Sequence, residues 1–62
     1  MNEFIFVIDK ENVGKRLDVF LAEAADMSRS AAQKAIEGAE ALVFGKVSDK
    51  KYILKEGDEV SF

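Results

Sequence analysis

The sequence predicts an α+β fold in a single domain, residues 1–62. Three observations predict it. Phe4-Ile5-Phe6-Val7-Ile8 is a run of aromatic and β-branched residues without a helix breaker, which is a strand signal. Leu17, Phe20, Leu21 and Ala24 then recur at i, i+3, i+4 and i+7, the spacing of one helical face, and a second helical segment follows Ser28. From Ala41 onward, short apolar pieces alternate with turn residues, as in a small sheet.

Both faces of the first strand are apolar, with Phe4, Phe6 and Ile8 on one and Ile5 and Val7 on the other. A tiny domain covers one sheet face only. The second face is therefore expected either to meet a partner or to leave a few apolar residues exposed at an edge. Asp9-Lys10-Glu11-Asn12 is polar and turn-forming. The first helix is predicted from Arg16 to near Ala25 or Asp26, with Asp18 and Glu23 pointing away from the core. Ser28 is the predicted N-cap of the second helix, its hydroxyl accepting from an early backbone N–H. That helix runs to about Glu37. Ala31 or Ala32, Ala35 and Ile36 face inward, while Ser30, Gln33, Lys34 and Glu37 form the outer stripe. Gly38 is the expected terminator at the position after the cap. Ala41-Leu42-Val43, the return beginning at Lys46-Val47, Tyr52-Ile53-Leu54 and Glu59-Val60-Ser61-Phe62 are short extended pieces. Phe44-Gly45 and Lys55-Glu56-Gly57-Asp58 are turns between them.

Composition narrows the function. Cysteine and histidine are both absent, which removes disulfides, thiolate metal sites and the commonest general base. Asp49, Glu56, Asp58 and Glu59 lack the spacing of a metal loop. No catalytic residue, metal site, cofactor or small-molecule substrate is expected. The apolar run Phe4 to Ile8 is too short to span a bilayer, and no basic segment precedes it, so the expected location is cytoplasmic, with no membrane partner. The net charge of −3 is unfavourable for a nucleic-acid binder. Residues 13–36 nevertheless hold four bases against three acids, whereas residues 37–62 hold four against six. The chain stops at a strand without a tail, which suggests a domain of a longer protein.

Gly14-Lys15-Arg16-Leu17-Asp18-Val19-Phe20-Leu21, Ser28-Arg29-Ser30, Gln33-Lys34, Gly45-Lys46-Val47 and Gly57-Asp58-Glu59-Val60 stand in an order that resembles the S-four RNA-binding domain, a module named after a small-subunit ribosomal protein. The likeness covers residues 13 to 62. It is closest to the N-terminal module of large-ribosomal-subunit pseudouridine synthases. The resemblance implies an αL motif, two short helices packed on a small, mostly antiparallel sheet of four to five short strands. It implies a non-catalytic module that targets a pseudouridine synthase to structured ribosomal RNA, with the isomerase chemistry in a separate catalytic domain. Carried over residue by residue, it implies RNA contact at Arg16, Ser28, Arg29, Ser30, Gln33, Lys34 and Lys46. Physical chemistry supports the placement, because a helix N-terminus offers free N–H groups to a phosphate and Arg29 adds a guanidinium beside it.

Local alternatives stay open. Arg16 either meets RNA or pairs with Glu23 or Asp18. Arg16-Leu17-Asp18 is similar to a catalytic motif of pseudouridine synthases, but it lies at the start of a helix without companions, so Asp18 is assigned no catalysis. Lys50 and Lys51 are expected to be a solvated loop. The family glycine near Gly38 is displaced by one position, and Glu40 stands near an expected base. The family turn, commonly Asn-Gly, is here Phe44-Gly45. Phenylalanine resists positive φ, so only Gly45 is expected to adopt it, with the Phe44 ring folded back on the sheet or standing beside Lys46. Two other function classes fit the sequence. One is a protein-interaction module of the same fold whose RNA surface has decayed. The other is a sulfur-carrier-like β-grasp protein, against which the closing Ser61-Phe62 stands in place of Gly-Gly.

Overall fold

The computed structural model describes residues 4–62. Along the chain the elements are β1 (Ile5–Val7), α1 (Leu17–Ala24), α2 (Arg29–Glu37), β2 (Leu42–Val43) and β3 (Glu59–Ser61). The strands form one antiparallel sheet in the order β1-β3-β2. Two helices packed on a small antiparallel sheet is the α+β arrangement expected. The strand count is three among the described residues, fewer than the four to five expected.

Backbone hydrogen bonding explains the missing strands. Lys46 makes only a single bridge to Val43. Tyr52-Ile53-Leu54 serves the entry to α1 instead of the sheet. The Tyr52 carbonyl accepts from the Leu17 N–H at 2.8 Å, the Leu54 N–H donates to Lys15 at 2.9 Å, and the Leu54 carbonyl accepts from Gly14 at 2.9 Å.

The core is Ile8, Leu17, Phe20, Leu21, Ala32, Ala35, Ile36, Ala41, Val43, Leu54 and Val60. Phe6 of β1 meets Phe20 of α1 edge-on, their ring centres 5.7 Å apart. That is the favourable geometry for two aromatic quadrupoles. On α2 the inward residues are Ala32, Ala35 and Ile36, as the periodicity predicts. The stripe on α1 departs from expectation at both ends. Ala24 is exposed and Asp18 is fully buried. On β1, Phe6 is half-buried while Phe4, Ile5 and Val7 face solvent. Among the described residues, no helix is long and apolar enough to cross a membrane.

Two backbone expectations are corrected. Gly38 ends α2 at φ −86, and the left-handed step falls on Ala39 at φ +65. Turning one residue later lets Glu40 and Ala41 both donate to the Ala35 carbonyl, at 2.8 and 3.1 Å. A Cβ on Gly38 would stand 3.1 Å from the Lys34 carbonyl oxygen, so the glycine provides close approach and not a positive φ. In the hairpin, Phe44 and Gly45 both take positive φ, +52 and +74. Reciprocal bonds of 2.9 and 3.0 Å between Val43 and Lys46 close this two-residue turn. The Phe44 N–H continues the pairing with β3 by donating to Glu59 at 2.8 Å. Strand twist and ladder continuity favour that geometry and override the preference of phenylalanine. The ring is not part of the core: Phe44 is 58% exposed, and it borders a shallow hollow with Ile5, Glu59 and Ser61 of the sheet.

Candidate nucleic-acid interface

Helix α2 begins where its sequence dictates. Ser28 has an extended backbone (φ −71, ψ 160), and its Oγ accepts from the Ala31 N–H at 3.1 Å. The cap satisfies one of the orphan donors of the first turn. Arg29 and Ser30 follow on that turn and are exposed. Gln33 and Lys34 lie one turn further, each four residues beyond Arg29 and Ser30, so the four side chains form two adjacent rows on the helix. Among the described residues, Arg29, Lys34 and Lys46 make no ion pair. Lys15 and Lys50 do, with Glu23 at 2.8 Å and Glu37 at 3.5 Å.

Arg16 is engaged from inside the fold. Its Nε and Nη2 donate to the two carboxylate oxygens of Asp18, at 3.2 and 2.9 Å. Gln33 Nε2 donates to Asp18 Oδ2 at 2.9 Å, and the Val19 N–H donates to Oδ1 at 2.8 Å. The Asp18 N–H meets the Lys50 carbonyl at 3.1 Å. Asp18 thus joins the entry to α1 and the middle of α2 through its buried carboxylate, and the loop before Tyr52 through its backbone N–H. Burial alone would raise the Asp18 pKa. The hydrogen bonds from Gln33, Arg16 and Val19, with the Arg16 charge, outweigh it and hold the carboxyl below its ordinary value of 3.8.

The structure therefore brings Arg16 and Gln33 together through Asp18 and sets Ser28, Arg29, Ser30 and Lys34 along α2. Lys46 belongs to a separate element, the hairpin. Of the two pairings considered for Arg16, Asp18 is the one found, and Glu23 goes to Lys15. Gln33, expected on the outer stripe, is half-buried because its amide turns in to that carboxylate. Asp18 is the residue that periodicity missed. The available signal was an acid in the first turn beside an arginine; the contact from Gln33, 15 residues later, has no local signature.

A second buried carboxylate organises the turn before β3. Asp58 Oδ2 accepts from the Tyr52 hydroxyl at 2.7 Å and from the Lys55 N–H at 2.9 Å. The hydrogen bond to Asp58 is the largest influence raising the Tyr52 pKa above its ordinary 10.0.

No protein-family model matches the chain, and a search of curated proteins finds no match either.

Proposed function

We propose that this chain is an RNA-binding module of the S-four type, a cytoplasmic, non-catalytic domain that targets a pseudouridine synthase to structured ribosomal RNA. The observation that carries the reading is the distribution of charge partners. Among the described residues, Lys15, Arg16 and Lys50 are held by carboxylates and the other six basic side chains make no ion pair; of those six, Arg29 and Lys34 are the two that share the exposed rows of a capped helix. Arg29, free beside the N-terminus of α2, suits a phosphodiester backbone, and Lys34, in the last turn of the same helix, extends the positive charge along it. Arg16 and Gln33 border this face, held in place by Asp18 in fixed orientations. The chemistry of uridine isomerisation belongs to a separate catalytic domain.

Fluorescence anisotropy with a labelled ribosomal RNA hairpin tests the proposal. With two to four phosphates neutralised in single-stranded segments, the log–log salt slope is about −1.4 to −2.8. Arg29→Glu combined with Lys34→Glu abolishes binding and leaves the circular dichroism unchanged. Equal binding by the parent and the double variant refutes the assignment.

A second reading, a protein-interaction module of the same fold, is favoured by one observation. Ile5 and Val7 are 61% and 65% exposed on the edge strand.

A further inference from the structure

We propose that the free edge of β1, with the flank of α1 beside it, is a docking groove for an extended basic segment of another protein, which joins the sheet as a fourth strand. This inference is independent of RNA binding; none of the seven residues assigned to RNA lines the groove.

The edge is open for pairing. Phe4 and Phe62 exchange two N–H···O bonds, at 2.7 and 2.8 Å, and the Ile8 N–H donates toward β3, to Asp58, at 2.8 Å. In an antiparallel ladder the alternate residues turn their N–H and C=O groups to the other side. Ile5 and Val7 therefore present theirs to the unpaired edge. Proteins commonly guard such an edge with charge or proline. Phe4 to Ile8 contains neither.

The edge also borders a groove. Two adjoining hollows of about 490 and 400 Å3 lie along it, and Phe6 and Ala24 line both. Phe20 and Val7 contribute to the first, Phe4 and Phe62 to the second. Ala24 completes the apolar stripe of α1 yet is exposed, so the stripe extends past the core into this groove. Residues i and i+2 of an added strand point to the same side, and neighbouring hollows suit such a pair.

Charge selects the occupant. The charged residues lining the hollows are Glu23 and Asp26, both acidic. Lys15 neutralises Glu23 at 2.8 Å, so the uncompensated charge at the hollows is that of Asp26, and it is negative. A second copy of this chain, itself at −3, is repelled. A strand with alternating apolar residues and lysine or arginine at its ends is complementary in both shape and sign.

The probe is a capped heptapeptide of alternating valine and threonine with lysine at each end, titrated into isotope-labelled protein and followed by NMR. Saturable shifts are expected at Ile5, Phe6 and Val7 and along Phe20 to Asp26, with none at Arg29 or Lys34. The same peptide ending in glutamate should bind about tenfold more weakly or less. A version methylated on its pairing amides should not bind. Ile5→Pro removes an outward N–H only, so its circular dichroism should persist while binding is lost. If that variant does not fold, the methylated peptide on the parent chain carries the test. The proposal is overturned by no saturable shift up to ~1 mM peptide, by shifts centred on α2, or by equal binding of the lysine and glutamate peptides. A β1-to-β1 dimer of this chain in place of peptide binding overturns it as well.

Discussion

Replacing Asp18 with asparagine conserves volume and removes one acceptor oxygen from a fully buried position. The new amide can still turn its oxygen to the Val19 N–H. Its NH2 group then faces Arg16 Nη2 and Gln33 Nε2, two donors that both stood 2.9 Å from Oδ2. A hydrogen bond to a charged group contributes about 1.5–3 kcal/mol, so losing two amounts to about 3–6 kcal/mol. Arg16 is only partly buried and regains water, which lowers the net loss to about 2–4 kcal/mol. A 62-residue domain holds roughly 3–9 kcal/mol in all, so the variant is poised near unfolding. Urea titration followed by circular dichroism at neutral pH measures the difference. The pH dependence gives a second signature. The folded pKa of Asp18 lies below 3.8, so its contribution is full above the unfolded pKa and is lost as pH falls through the folded one. The gap between parent and Asp18→Asn should therefore be widest near neutrality and close in acid, beginning near pH 4. A difference under about 1 kcal/mol at neutral pH, or a gap that does not narrow in acid, would refute the role given to this carboxylate.

Phe44→Asn relieves a left-handed phenylalanine and should raise stability by about 1 kcal/mol, read as a higher urea midpoint; a loss would mean that the exposed ring has an unseen packing role. Leu21→Ala empties a fully buried site on α1 and should cost about 2–5 kcal/mol, which thermal melting detects. Tyr52 is stabilised in its neutral form, so the stability it adds is present below its unfolded pKa and declines as pH rises through the higher folded value. Phenolate absorbance should show Tyr52 titrating above 10.0 in the parent and closer to it in Asp58→Asn.

Features written in short-range chemistry were readable from the sequence. The Ser28 cap and the inward trio Ala32, Ala35 and Ile36 follow from hydroxyl geometry and helical period, and both stand in the structure. The extent of the apolar face on α1 did not follow. Period alone treats Ala24 as core and Asp18 as surface, but which end of a short helix is covered depends on where α2 crosses it. Phe44 failed for a related reason: intrinsic backbone preference was weighed without the ladder that continues from Phe44 to Glu59. At the end of α2 the glycine signal was real but misread, since Gly38 permits an approach to Lys34 while Ala39 takes the turn. The candidate RNA residues were found by motif order. Asp18 was one of two partners the sequence offered Arg16; its burial and its bond to Gln33 emerged only from the packing of the two helices.

Among the described residues β1 and β2 do not pair with each other; each pairs with β3, the last of the three strands. On a ribosome, the two helices can associate as soon as Glu37 has emerged, because their contacts are local. No part of the sheet can assemble before Ser61 is available. Until then two apolar strands wait unpaired, and closing β1 onto β3 spans nearly the whole chain, the slowest kind of contact to form. The central strand is therefore a late switch from a helical hairpin to the complete domain, and the nascent domain is most vulnerable to mispairing just before β3 emerges.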